Sequence, residues 1–98
     1  MNSLYQIYIA PSPGIERKDI EEKMDLAIDH FRCSSRCWIV YTASNARRWY
    51  IRLKPLVESG GQLFICKLDI SDRQGWMSKR FWDWLQDKQK RIEEQTAE

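Results

Sequence analysis

Six cationic side chains, Arg32, Arg36, Arg47, Arg48, Arg52 and Lys54, lie in a stretch from His30 to Val57 that contains no Asp or Glu. Cations in this number suit the phosphates of RNA or DNA, and Trp49 or Tyr50 among them offers a ring on which a base can stack. The plainer reading makes Arg47, Arg48 and Arg52 the solvated side of an amphipathic helix, with Trp49 and Tyr50 turned into the core. His30, Cys33, Cys37 and Cys66 supply ligand types that zinc takes tetrahedrally. Their spacing, HxxCxxxC with a distant third thiol, is not that of a finger. Cys37 and Cys66 also fall in apolar segments, where a thiol ordinarily packs as a small hydrophobe. No metal and no cofactor is therefore expected. Asp69, Asp72 and Asp83 remain as oxygen ligands for a hard cation, but Asp69 and Asp72 flank a loop with no supporting groups in view. Ser34, Ser35 and His30 lack an orienting acid for nucleophilic chemistry, so no catalytic residue is assigned.

The whole chain bounds these readings. Its 98 residues suit one domain with one core, and 43% hydrophobic content with five Trp argues for a globular fold. A formal charge of +2 does not by itself imply a nucleic-acid partner. The distribution of charge says more: from Glu16 to Phe31 there are six acids against three bases, so an acidic segment precedes the basic one. Three Cys is an odd number for a disulfide scaffold. No apolar run is long enough to span a bilayer and no signal-peptide pattern follows Met1, so a cytoplasmic protein without a membrane partner is expected.

The elements that must position the cations follow from periodicity. Leu4 to Ala10 alternates, with Tyr5, Ile7 and Ile9 on one face, and reads as a strand stopped by Pro11, Pro13 and Gly14. Ile20, Met24, Ala27, Ile28 and Phe31 recur at helical spacing and predict a helix over Glu16 to His30. Arg32 to Arg36 is a polar connection that has room for a short strand. Cys37 to Tyr41 is a compact buried strand, after which Thr42 or Ser44 caps a helix. That helix turns Ala46, Trp49, Tyr50, Leu53 and Leu56 inward and Arg47, Arg48, Arg52 and Lys54 outward, and Pro55 bends or ends its last turn. Gly60 and Gly61 break the chain before a strand over Gln62 to Asp69. Ser71 to Gly75 is a loop, and a last helix begins near Met77 with Phe81, Trp84, Leu85 and Trp82. Trp76, Trp82 and Trp84 cannot all hide on one helical surface, which suits a subunit interface. The ordered core is expected over residues 1–87 of a single domain, with 88–98 a charged, frayed tail. This order predicts an α+β fold. A ferredoxin-like split-βαβ sandwich plus a C-terminal helix is the most economical arrangement of an antiparallel sheet with two helices on one face.

Cys37–Thr42 (CWIVYT), the helix end Arg52–Val57 (RLKPLV), Gln62–Asp69 (QLFICKLD) and Gly75–Gln86 (GWMSKRFWDWLQ) resemble the SinR-like family of small proteins over residues 4–87, nearly the whole chain. That family resembles the small CRISPR-associated adaptation nuclease and its toxin relatives. The resemblance implies the ferredoxin-like fold and pairing as a homodimer. In the nuclease relatives the first strand ends in a Tyr-Asp pair whose carboxylate helps hold a divalent metal at the dimer cleft. Here the segment is Tyr8-Ile9-Ala10-Pro11, with no acid before Glu16, so the resemblance carries the fold without the catalytic residue.

The sequence thus points to a non-catalytic homodimeric binding module that contacts nucleic acid or a nucleic-acid-handling protein. Two other functions stand beside it: a metal-dependent endonuclease with a relocated site, and an inhibitor or adaptor protein of a defence or toxin system.

Overall fold

A computed structural model describes residues 1–96. Four strands, β1 (Ser3–Ala10), β2 (Asp29–Arg32), β3 (Cys37–Thr42) and β4 (Gln62–Leu68), form one sheet in the order β2-β3-β1-β4, with every neighbouring pair antiparallel. Three helices accompany them: α1 (Arg17–Met24), α2 (Ala46–Leu53) and α3 (Lys79–Thr96). The class is α+β, and β2 and β4 are the two open edges.

Strand alternation divides the sheet into two faces. Tyr5, Ile7 and Ile9 of β1 lie with Trp38 and Val40 of β3 under α1 and α2, and meet Ile20, Met24, Trp49, Leu53 and Leu56 there. Full burial of aliphatic side chains such as Ile7, Ile9 and Leu53 contributes about 1.5–3 kcal/mol each. The opposite face carries a second core. Leu4, Ile39 and Tyr41 pack against Phe81 and Leu85 of α3, with Phe31, Leu68, Trp82, Trp84 and Ile92 around them. The molecule is therefore three layers deep over part of the sheet.

The strand over Leu4 to Ala10, its stop at Pro11, the compact strand beginning at Cys37 and the strand from Gln62 all appear where the sequence places them. Pro55 does end the α-helix: α2 stops at Leu53 and a single 3-10 turn, Lys54–Leu56, follows. Gly60 has φ +115°, which disfavours any side chain, and a Cβ on Gly61 would strike the Ala10 carbonyl. That pair of glycines lets the turn after α2 close against the end of β1, where Ser12 N–H donates to the Leu56 carbonyl at 2.8 Å and Ser12 Oγ accepts from Ser59 N–H at 3.1 Å.

Several expectations are corrected. The helix read over Glu16 to His30 ends at Met24. Residues 25–28 turn, Ile28 N–H donates to the Tyr41 carbonyl at 2.9 Å, and β2 then pairs with β3. A helix would have kept Phe31 on the α1 side. The strand sends it through the sheet to α3 while His30 and Arg32 stay behind. The cap of α2 is neither Thr42 nor Ser44 but Asn45, whose Oδ1 accepts from Arg48 N–H at 2.9 Å. Thr42 Oγ1 instead accepts from Ser44 N–H and from the buried Trp49 indole.

Residues 88–96 are not a frayed tail. They complete α3, with Ile92 on the second core and Gln95 exchanging two hydrogen bonds with the backbone of Asn2. The rest of the charged segment, 97–98, lies outside the described residues. The charged character of Lys88 misled the pattern. It is 4% exposed, its ammonium lies 2.8 Å from Asp29 and 3.0 Å from Asp87, and the Tyr41 and Trp84 rings stand beside it at 5.6 Å and 5.2 Å. Among the described residues no helix is long and apolar enough to cross a membrane.

Candidate nucleic-acid interface

The six cations fall into distinguishable settings. Arg32 sits on β2, at one sheet edge, with its guanidinium over the Trp38 ring at 5.7 Å. Arg47 stands in the first turn of α2, beside the opposite edge strand β4. Three strand spacings of about 4.8 Å separate those edges, so the six do not form one compact patch. Arg52 is half-buried and stacks over Trp49 at 4.8 Å. Its Nη1, like Arg32 Nε and Trp38 Nε1, is buried with no partner among the described residues. Arg36, Arg47, Arg48 and Lys54 are open to solvent.

One property unites them. Among the described residues none of the six has a carboxylate within ion-pair distance, a property they share with Lys23, Lys67, Arg73, Arg80 and Lys90 but not with Arg17, Lys18, Lys79, Lys88 and Arg91. The acids on and just after α1 do not neutralise α2: Glu21 pairs with Arg17 at 2.6 Å and Asp25 with His30 of β2 at 2.8 Å.

The structure separates the aromatics that sequence reasoning joined. Trp49 is fully buried, as expected, but Tyr50 is 49% exposed. It lies at the flank of the inward stripe, where α2 overhangs the sheet edge. There a groove of about 280 Å³ is lined by Ala46, Arg47 and Tyr50 from the helix and Leu63, Phe64 and Ile65 from β4. Phe64, which carried no signal beyond its place in an apolar strand, is 65% exposed. It sits opposite Tyr8 on the part of the sheet that α3 leaves open.

At the β2 edge a larger cleft, about 610 Å³, brings Arg17, Arg32 and Arg80 together with Glu21, Asp25, His30 and Trp38. Two of its acids are already engaged by Arg17 and His30, which leaves Arg32 and Arg80 as its unpaired cations.

The tryptophans expected at an interface also divide. Trp82 packs edge-on against Phe81 at 5.2 Å, and the Trp84 indole donates to Asp29 at 3.0 Å, so both serve the second core within the chain. Trp76 is 99% exposed.

His30, Cys33, Cys37 and Cys66 are not brought together. His30 faces α1 and contacts Trp38 edge-on, whereas Cys37 and Cys66 lie on the other face, each opposite a β1 residue. Nor are the thiols buried as expected: Cys33 and Cys37 are half-buried and Cys66 is exposed. Partial burial, reinforced by the nearby Cys37, pushes the Cys33 thiol up to about 12. Among the described residues no three His, Cys, Asp or Glu side chains converge, and Ala10 closes β1 opposite Gln62.

Burial disfavours the Asp29 carboxylate. The hydrogen bonds from Lys88, the His30 amide and Trp84, together with the Lys88 charge, outweigh it and hold the Asp29 pKa below the usual range. Burial likewise disfavours the Lys88 ammonium, but Asp29 and Asp87 raise its pKa above the ordinary lysine value. This pair locks α3 to the sheet and offers no free charge to a ligand. Comparison with known proteins returns no matching family model, no matching curated protein and no matching solved structure.

Proposed function

We propose that the chain is a non-catalytic homodimeric binding module whose partner is nucleic acid, held through its backbone phosphates. The observation that carries this reading is the set Arg32, Arg36, Arg47, Arg48, Arg52 and Lys54, none of which has an acid partner among the described residues. A cation without an ion pair keeps its full charge for an external anion, and four of the six, Arg36, Arg47, Arg48 and Lys54, are also open to solvent. The ferredoxin-like reading of the fold belongs to the same proposal. It is supported by the sheet order, in which the units β1-α1-β2 and β3-α2-β4 each skip one strand and interleave. Kinship with the SinR-like family rests on the motifs at Cys37–Thr42, Arg52–Val57, Gln62–Asp69 and Gly75–Gln86.

A mobility-shift titration across a salt series tests the function. Binding is expected to weaken linearly in log affinity against log salt, and the double charge reversal Arg47→Glu/Arg48→Glu is expected to abolish it at moderate salt. No binding at low ionic strength, or binding indifferent to that reversal, removes the proposal.

A further inference from the structure

The β2–β3 hairpin holds two thiols that the proposed function leaves unused. The ladder pairs Phe31 with Ile39 and Arg32 with Trp38, so Cys33 and Cys37 occupy the next rung and face each other across it. Cys33 N–H donates to the Cys37 carbonyl at 2.9 Å, and Cys37 N–H donates to the Ser34 carbonyl at 3.4 Å, which closes the turn over Ser34, Ser35 and Arg36. Opposed residues on such a rung have α-carbons about 5.5 Å apart, inside the range of roughly 4.4–6.8 Å that a disulfide spans.

Alternation sends both side chains to one face. Cys33 follows Phe31, and Cys37 precedes Ile39, by two residues, and Phe31 and Ile39 both lie on the α3 side. Cys33 packs at the margin of the second core. Cys37 stands opposite Tyr8, and its Sγ accepts from Gln6 Nε2 at 3.4 Å. The sulfurs are close enough that the Cys37 thiol adds to burial in pushing Cys33 up to about 12. Both residues are half-buried, so a small reagent has access to the rung. Cys66 is no rival partner: it lies on β4, two strand spacings of about 4.8 Å from β3.

We propose that Cys33 and Cys37 form a thiol–disulfide site, oxidised reversibly by a low-molecular-weight disulfide. The Cys37 sulfur, as its thiolate, attacks one sulfur of the small disulfide. That S–S bond breaks, and one small thiolate leaves and takes up a proton. Cys33 then gives its proton to water and attacks the Cys37 sulfur of the mixed disulfide. The second small thiolate leaves, is protonated, and the cross-strand bond is made. The protein dithiol has lost two electrons, and the small disulfide has become two thiols. Excess small thiol reverses both steps. The bond fastens the end of the β2 edge strand to β3, and the inference stands apart from the nucleic-acid proposal because it needs no cation.

The full chain carrying Cys66→Ser, an exposed change away from the rung, tests it. The protein is equilibrated in mixtures of oxidised and reduced glutathione and quenched with acid. Oxidation is expected to remove both remaining thiols together with the mass of two hydrogens. Trypsin locates the bond, because it cuts after Arg32, Arg36 and Arg47. The reduced chain yields 33–36 and 37–47 as separate peptides, the oxidised chain yields them joined, and dithiothreitol should part them. At fixed reduced glutathione, the folded chain should reach half oxidation at about tenfold less oxidised glutathione than the chain in urea, since the hairpin already holds the rung. Cys33→Ser in the same background should stop at one glutathione on Cys37.

Separate glutathione adducts on Cys33 and Cys37, or two thiols that stay free, overturn the site. A joined peptide that forms as readily in urea as in the folded chain overturns it too, because the pairing then owes nothing to the hairpin. The unaltered chain is expected to give the same joined peptide, which keeps the test decisive should Cys66→Ser fail to fold by circular dichroism.

Discussion

Lys88 is the residue that most alters the physical picture. A lysine in a run of charged residues reads as solvated. Here its stem is enclosed by Tyr41 and Trp84, and its ammonium closes on Asp29 of the opposite layer. Lys88→Met leaves Asp29 about half open to water and still bonded by Trp84 and the His30 amide, so it should cost about 1–2 kcal/mol in urea unfolding, less than the loss of one member of a fully buried pair. The pH dependence follows from the two shifts. Asp29 has a folded pKa below its unfolded value, so its contribution is complete above the unfolded carboxyl pKa of about 3.9 and is lost as pH falls through the folded one. Lys88 has a raised folded pKa, so its contribution is complete below the unfolded value of about 10.4 and is lost as pH rises through the folded one. Stability is therefore expected to be flat near neutrality and to fall at both ends. In Lys88→Met the alkaline decline should shrink, and a decline as steep as in the unaltered protein would refute the assignment.

Among the elements, α2 is the one whose details were most legible. Its stripe of Ala46, Trp49 and Leu53, continued by Leu56 in the turn that follows, and its outward Arg47 and Arg48 came directly from a 3.6-residue period and the structure keeps them, whereas Arg52 folds back over Trp49 and is half-buried. Tyr50 could not be read from that period, because a position on the flank of a stripe is decided by how far the helix overhangs the sheet. The short strand β2 was hidden for a different reason. Ile28 and Phe31 fit a helical spacing, but Asp29 to Arg32 gains a full ladder to β3, and tertiary pairing overrode local spacing. The last two turns of α3 were obscured because their inward positions are Lys88, Ile92 and Gln95, only one of them apolar. Asn45 deserves a direct measurement, since α2 carries Arg47 and Arg48. Asn45→Ala should cost about 1 kcal/mol, and Asn45→Gly only a few tenths, when compared by thermal unfolding. An Asn45→Ala protein as stable as the unaltered one would mean that the cap does not act through the Arg48 amide.

At the scale of the whole molecule, α3 covers only part of the sheet face opposite α1 and α2. Leu4, Ile39 and Tyr41 are covered, whereas Cys66, Phe64 and Gln6 stay exposed. The charge is asymmetric as well. The ion-paired cations lie on or beside α1 and on α3, whereas α2, β2 and the β2–β3 connection carry unpaired cations alone. The sequence could show the bias in charge but not its division between two sheet edges, which depends on strand order alone. The proposed dimer belongs to this scale too. Trp76 is nearly fully solvated on the segment between β4 and α3, and a large indole in that position is the natural anchor for a second copy. Light scattering on the unaltered protein should give twice the chain mass, and Trp76→Ser should give the monomer mass. An unaltered chain that remains monomeric at high concentration removes the dimer.

The enclosed ammonium of Lys88 has a further consequence in chemical reactivity. Acylating reagents attack an amine only when it is unprotonated and within reach, and Lys88 is neither, being held charged and sealed between two aromatic rings. Lys18, Lys54, Lys79 and Lys90 are exposed and should be modified quickly. Lys88 should label only when α3 lifts from the sheet, so the time course of its modification is a clock for that opening, readable by mass spectrometry in the unaltered chain.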